Sequence, residues 1–123
     1  MACILVIDDD CVFRATLQDM LEGVGYHVLE ACDGQEGLAA LQAHPIDLVI
    51  TDILMLEQEG CETLQQLRTL TPSPKIIALS GGGQTGRLEF LQVTTGGGTN
   101  RTLRKPMRSR DLYAAVQEIL ARP

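Results

Sequence analysis

Polar residues with complementary chemistry end or follow four of the apolar segments of this 123-residue chain. Asp8 and Asp9 follow the first segment, and Asp52 ends the third. Ser80 ends the fourth segment, and Lys105 follows the fifth. Carboxylates held close together repel one another, and a hard divalent cation such as Mg²⁺ relieves that repulsion because it prefers oxygen ligands. A bound cation and the Lys105 ammonium would stabilise charge on a phosphoryl group moving onto Asp52, and Ser80 can donate a hydrogen bond to the same group.

These residues can meet only if the apolar segments lie side by side as strands. Segments of strand length alternate with segments of helical periodicity, and strands are predicted at Cys3–Ile7, 26–31, 46–52, Lys75–Ser80 and 99–103. Five such repeats predict a doubly wound, flavodoxin-like α/β fold with a parallel sheet in the order 2-1-3-4-5. Ligands of such sheets bind beyond the carboxyl ends of the strands, near the switch in strand order. The polar residues are therefore predicted at the binding edge.

The first predicted helix follows the acidic residues directly. Its apolar stripe is spaced at three and four residues and consists of Phe13, Leu17, Met20, Leu21 and Val24. The glycines that flank Val24 mark its end. Asp10, just before the helix, is interpreted as an N-cap or turn residue and not as part of a binding site.

Four further helices are predicted from the same periodicity. One follows Asp33 and ends before Pro45, and another carries apolar residues between 61 and 70. A fourth passes through Leu88 and is bracketed by the glycine runs 81–83 and 96–98. The last is predicted to be capped by Ser109 and to bury Leu112, Val116, Ile119 and Leu120.

Composition narrows the class of protein. We expect residues 1–123 to form one domain with no output domain, because the last predicted helix ends close to the C-terminus. No apolar run approaches the ~20 residues of a membrane-spanning helix and no signal peptide is present, so a cytoplasmic location with no membrane contact is expected. A net charge of −6 and the absence of Trp argue against direct binding to nucleic acid. Four cysteines without metal-ligand spacing predict reduced thiols.

The motifs at the strand ends, taken in order, closely resemble the receiver family of two-component signalling over essentially the whole chain. The acids 8–10 resemble the family's acidic pair with a following acid, and the segment 48–52 (LVITD) resembles its phosphoacceptor strand. Met55 and Gly60 lie three and eight residues after Asp52, as in the family's loop. The segments 76–80 (IIALS) and 103–106 (LRKP) resemble the strand that ends in a hydroxyl and the Lys-Pro step.

This resemblance implies roles for individual residues. Asp52 would take a phosphoryl group from a histidine kinase, a phosphotransfer protein or a small phosphodonor, and the domain would catalyse only its own phosphorylation and dephosphorylation. Asp8 and Asp9 would hold Mg²⁺ together with Asp52 and the backbone carbonyl of Leu54. Ser80 and Lys105 would report the phosphoryl group to an unknown protein partner, through the face formed by the fourth helix, the fifth strand and the fifth helix.

Three features depart from the family pattern. Leu56 stands where the family loop usually has proline, and Thr102 stands where many receivers have the aromatic residue of the conformational switch. The spacing from Ser80 to Lys105 is slightly long for the family. Leu56 is expected to make its loop less rigid, and the glycine-rich segments are expected to absorb the longer spacing. Thr102 puts the usual aromatic switch in doubt.

Other functions remain open at this point. The acids 8–10 also resemble the start of a haloacid-dehalogenase-type phosphatase, in which Asp8 would be the nucleophile. That family needs a longer core and a later acidic motif. The glycine run 81–83 matches neither nucleotide-binding glycine pattern. A receiver-like adaptor that works without phosphorylation is a third alternative.

Overall fold

The protein was studied as a computed structural model, and the structure describes residues 2–52, 74–80, 101–104 and 107–121. In chain order its elements are β1 Cys3–Ile7, α1 Cys11–Glu22, β2 His27–Ala31, α2 Gly34–Ala43, β3 Leu48–Asp52, β4 Lys75–Ser80, β5 Arg101–Arg104 and α3 Ser109–Leu120. All five predicted strands are present. The third and fourth predicted helices lie outside the described residues, and α3 is the last predicted helix.

The five strands form one parallel sheet in the order β2-β1-β3-β4-β5, which confirms the predicted topology. The chain runs outward from β1 to β2 on one side, and from β3 through β4 to β5 on the other. The strand order therefore reverses between β1 and β3. In sheets of this kind, ligands bind beyond the carboxyl ends of the strands at this switch in strand order.

The strands form because their residues are apolar on both faces. Each face has its own buried cluster. On one face, α1 and α3 cover residues that include Ile4, Val6, Leu48, Ile50, Ile77 and Leu79. On the other face, residues of α2 pack with the cluster of Leu5, Ile7, Ala31, Val49 and Ile76. A sheet covered on both faces explains why its strands appear as continuous apolar runs and not as alternating ones.

Helix α1 begins at the acid that was predicted to cap it. The Asp10 carboxylate accepts hydrogen bonds from the backbone N–H groups of Val12 and Phe13, at 3.0 and 3.2 Å. The helix ends at Glu22 with Gly23 as its C-cap, as the flanking glycines predicted. Val24 was wrongly placed on the apolar stripe: it lies two residues beyond the helix and is 51% exposed, and the chain turns at the next residue, Gly25, whose φ is +100°.

Helix α2 lies very close to the sheet at Gly37. A Cβ atom at this position would lie 2.4 Å from Ile7 Cδ1, so the helix can approach the end of β1 only because residue 37 has no side chain. The helix begins with Asp33, whose carboxylate accepts from the Glu36 N–H at 2.8 Å. It ends at Ala43, before Pro45 as predicted.

Helix α3 confirms the predicted core face but not the predicted cap. Leu112, Val116 and Ile119 are buried, and Leu120 packs at the margin of the cluster. Ser109 is the first residue of the helix and not its cap, because the N-cap position falls on Arg108, whose side chain makes no capping hydrogen bond. The helix is held instead by its buried face.

β1 and β4 have the predicted bounds, and the bounds of β2, β3 and β5 differ from the predicted ones by one or two residues. β3 begins at Leu48 because the preceding Asp47 pairs with Cys3 outside the ladder. Its N–H donates to the Cys3 carbonyl at 2.9 Å, and its carboxylate accepts from the Cys3 N–H at 2.8 Å. Cys3, Cys11 and Cys32 are free thiols, as expected. Within the described ranges, no helix is long and apolar enough to span a membrane.

Candidate functional site

The register of the two central strands brings acids from distant parts of the sequence to one level of the sheet edge. Ile7 of β1 is aligned with Thr51 of β3, so the residues that follow, Asp8 and Asp52, come next on adjacent strands. Adjacent strands lie ~4.8 Å apart. Both residues therefore lie at the switch in strand order, as predicted.

The two acids at the end of β1 have different surroundings. Asp8 is only 1% exposed, and Asp9 is exposed. The Asp8 N–H donates to the Ala31 carbonyl of β2 at 3.1 Å, and its Oδ1 atom accepts from the Asp10 N–H at 2.9 Å. A buried carboxylate tied to a turn is a fixed group, whereas Asp9 projects from that turn toward solvent.

Ser80 lies at the same edge, on the strand beyond Asp52. The backbone register aligns Asp52 with Leu79, so Ser80 follows by one residue on β4. Ser80 is in turn aligned with Arg104 of β5, the residue before Lys105. Lys105 itself and Leu54, the predicted carbonyl ligand, lie outside the described residues.

The donors at this edge fit a hard divalent cation. They are carboxylates on neighbouring strand ends, which is the chemistry that Mg²⁺ prefers. Of the described residues, only Cys32, Asp33 and Glu36 place three potential ligand atoms within 4.8 Å of one another. The carboxylates of Asp8, Asp9 and Asp52 are thus not all within that distance of one another.

The group of Cys32, Asp33 and Glu36 is explained by the start of α2. Asp33 caps the helix, and the Glu36 carboxylate reaches back to accept from the Cys32 N–H at 2.9 Å. This hydrogen bond holds the pKa of Glu36 below its ordinary value, and hydrogen bonding to Glu36 raises the pKa of the Cys32 thiol. The pattern is a variant of the capping box: the Asp33 carboxylate accepts from the N–H of Glu36, but Glu36 accepts from Cys32, the residue before the cap, and not from Asp33.

Arg14 lies next to the turn formed by Asp8, Asp9 and Asp10, which we call the acidic turn. Its contacts there were not predicted from the sequence. Its Nη1 atom donates to the backbone carbonyl of Asp8, and its Nε atom donates to Glu30 of β2 at 3.1 Å. The available signal was its position four residues after Asp10, one helical turn from the cap. A lone arginine on a helix is normally solvated, so that signal is weak.

The burial of the Thr51 hydroxyl was also not predicted from the sequence. Thr51 precedes Asp52 on the central strand and is completely buried, and its hydroxyl has no hydrogen-bond partner among the described residues. A polar side chain in an otherwise apolar strand was the available signal.

Comparison with known families identifies this arrangement. A family model described as "Response regulator receiver domain" matches residues 4–117. The chain belongs to the response regulator receiver family. The match spans the acidic turn, β3 and β4, and it favours the receiver interpretation over the phosphatase alternative.

Solved structures agree with this receiver fold. A CheY-like receiver domain protein from Methanospirillum hungatei superposes with a TM-score of 0.86 at 31% identity, covering 98% of this chain and 94% of that one. A receiver domain protein from Clostridium thermocellum gives a TM-score of 0.85 at 33% identity, with the same coverage.

Curated relatives are longer proteins. The transcriptional regulatory protein CpxR of Klebsiella pneumoniae is 34% identical over 119 residues, which cover 97% of this chain and 49% of that protein. The probable transcriptional regulator ycf27 of Cyanidium caldarium is 32% identical, covering 97% of this chain and 46% of that protein. The receiver chain thus spans about half the length of these relatives. Because they are named transcriptional regulators, the expectation that nucleic acid is not a partner is unsupported.

Proposed function

We propose that this receiver domain accepts a phosphoryl group on the carboxylate of Asp52 and signals through its phosphorylated state. The observation that carries the proposal is the strand register, which aligns Ile7 with Thr51 and so sets Asp8 and Asp52 level at the switch edge. Family membership supports the same role, since the segment 48–52 resembles the phosphoacceptor strand of receivers.

The proposed reaction transfers the phosphoryl group without net oxidation or reduction. A carboxylate oxygen of Asp52 forms a bond to phosphorus while the bond from phosphorus to the donor breaks. The donor leaves with that electron pair, and a histidine donor then regains a proton. The domain catalyses only this reaction and the hydrolysis that reverses its effect.

Asp8 and Asp9 are proposed to bind Mg²⁺, together with Asp52 and the backbone carbonyl of Leu54. The bound ion would offset charge that collects on the phosphoryl oxygens during transfer. Asp8 contributes from a fixed, buried position and Asp9 from an exposed one.

Ser80 and Lys105 are proposed to contact the phosphoryl group from the neighbouring strands. The hydroxyl would donate a hydrogen bond, and the ammonium would neutralise charge. Their shift would carry the signal to the face formed by the fourth predicted helix, β5 and α3. A histidine kinase or histidine phosphotransfer protein in the cytoplasm would supply the phosphoryl group. Because curated relatives are named transcriptional regulators, we propose that the protein partner at this face acts in control of transcription.

Intact-mass measurement after incubation with acetyl phosphate and Mg²⁺ tests the acceptor. The wild type should gain the mass of one phosphoryl group, and Asp52→Asn should gain none. Asp10→Asn is the matched control, because Asp10 caps α1 and should leave labelling intact. Peptide mapping that found the label on Asp8 would instead support the phosphatase alternative. A wild type that accepts no phosphoryl group under any donor would support the adaptor alternative.

A further inference from the structure

Arg14 joins the acidic turn to two other elements, and the proposed phosphoryl transfer gives it no role. It lies in the second turn of α1, with its N–H bonded to the Asp10 carbonyl at 2.9 Å. From there its side chain reaches Asp8, which follows β1, and Glu30, the penultimate residue of β2. The guanidinium is mostly covered, since the Arg14 side chain is 17% exposed and that of Glu30 is 35% exposed.

The contacts of Arg14 complete the anchoring of Asp8. Asp8 donates its N–H to the Ala31 carbonyl, and its own carbonyl accepts from Arg14 Nη1. Arg14 is braced in turn by Glu30, the neighbour of Ala31 on β2. Ala31 thus holds the Asp8 N–H directly, and Glu30 holds the Asp8 carbonyl through Arg14.

We propose that Arg14, braced by Glu30, is a positioning residue that fixes the turn from which Asp8 and Asp9 bind a divalent cation. This inference rests on the proposed function, because it assumes that the acids of the turn are metal ligands. With the Asp8 carbonyl held, the direction in which the chain leaves β1 is set, and so is the position of the Asp9 carboxylate. A turn organised in advance avoids the entropy cost of ordering it when the ion binds.

Charge alone predicts the opposite effect of Arg14. A guanidinium beside the turn repels a divalent cation, and removing it should strengthen cation binding by Coulomb attraction. The surrounding charges are mainly negative, with Glu30 in direct contact and the field of Arg14 also felt at Glu36 and Cys32. Positioning and electrostatics therefore make predictions of opposite sign for the same substitution.

The test measures Mg²⁺ affinity by calorimetry on the full chain, without any phosphodonor. Arg14→Met should weaken Mg²⁺ binding about tenfold, the loss seen when groups that orient metal ligands are removed. Arg14→Lys keeps the charge but lacks the paired donors of a guanidinium, and it should also bind Mg²⁺ more weakly than the wild type. Lys75→Met is the control, because it removes the same charge from the first residue of β4, at the opposite edge of the sheet.

The possible results distinguish failure of this inference from failure of the proposed function. Unchanged or tighter Mg²⁺ binding in both Arg14 variants, with normal binding by the wild type, would overturn the inference and leave the proposed function standing. No Mg²⁺ binding by the wild type would overturn both. If circular dichroism shows that Arg14→Met does not fold, Arg14→Lys decides alone. If only the charge of Arg14 matters, the Mg²⁺ affinity of Arg14→Lys should equal that of the wild type. Exchange of the Asp10 amide, which donates to Asp8 Oδ1, should be faster in Arg14→Met than in Lys75→Met.

Discussion

At the scale of single residues, the two acids that end β1 differ in what they contribute. Asp9 is exposed, so Asp9→Ala should leave the thermal unfolding temperature close to that of the wild type while removing most Mg²⁺ binding and slowing phosphorylation. Asp8→Ala should also lower stability, by about 1 kcal/mol, because the partly buried hydrogen bond from the Asp10 N–H to the Asp8 carboxylate is lost. Thermal melting and calorimetric Mg²⁺ titration of the two variants measure these effects. Undiminished Mg²⁺ affinity in Asp9→Ala would exclude Asp9 as a ligand.

The buried hydroxyl of Thr51 should lower the stability of the fold. It has no partner among the described residues, and burial of an unsatisfied polar group costs ~1–3 kcal/mol. Thr51→Val keeps the shape and removes the hydroxyl, so it should raise the free energy of unfolding by ~1 kcal/mol. Urea unfolding measures the change, and Thr51→Ser, which keeps the hydroxyl and loses a methyl group, should be less stable than the wild type. A clear loss of stability in Thr51→Val would show that the hydroxyl is satisfied in solution.

At the scale of elements, the capping box of α2 gives stability a dependence on pH. The pKa of Glu36 is below its ordinary value of 4.5 in the folded chain because the Cys32 N–H donates to the carboxylate. Ionised Glu36 therefore stabilises the fold above the ordinary pKa, and this contribution is lost as pH falls through the lowered pKa. Glu36→Gln should reduce the loss of stability between about pH 5 and about pH 3 in denaturant titrations.

A matched control for this pH effect is Glu22→Gln, which removes an exposed glutamate from the last turn of α1. The loss of stability at low pH should be closer to that of the wild type in Glu22→Gln than in Glu36→Gln. Equal curves for Glu36→Gln and the wild type would mean that the Cys32 contact contributes nothing to stability in solution.

At the scale of the whole molecule, a hydrogen bond joins α3, the last described helix, to α1, the first. The Tyr113 hydroxyl of α3 donates to the Met20 carbonyl of α1 at 3.1 Å, and this carbonyl belongs to the last turn of its helix, where no later helical N–H is available to it. Tyr113→Phe should lower the free energy of unfolding by ~1 kcal/mol in urea titrations. Tyr26→Phe is the comparison, since the Tyr26 ring, directly before β2, packs against the same cluster. An equal effect of both substitutions would show that the hydrogen bond from Tyr113 to Met20 does not account for the loss of stability.

The sheet was predictable because burial on both faces leaves a continuous apolar run for each strand, as in Cys3–Ile7. Local rules also identified the role of Asp10. They failed where tertiary contacts decide, as at Ser109, where the buried face of α3 anchors a helix that begins without a side-chain cap. Arg14 could not be found from spacing, because its partners Asp8 and Glu30 become neighbours only when β1 and β2 pair.

The alignment of β1 with β3 has a consequence for the newly made chain. The two strands are separated in sequence by a helix, a strand and a second helix, so contacts between them form only after a long loop has closed. A nascent chain that ends before Leu48 already carries both acids of the turn but has no acceptor beside them. A phosphoryl group on Asp52 would therefore indicate that β1 and β3 have paired, and chains in which this pairing has not yet formed would not be phosphorylated.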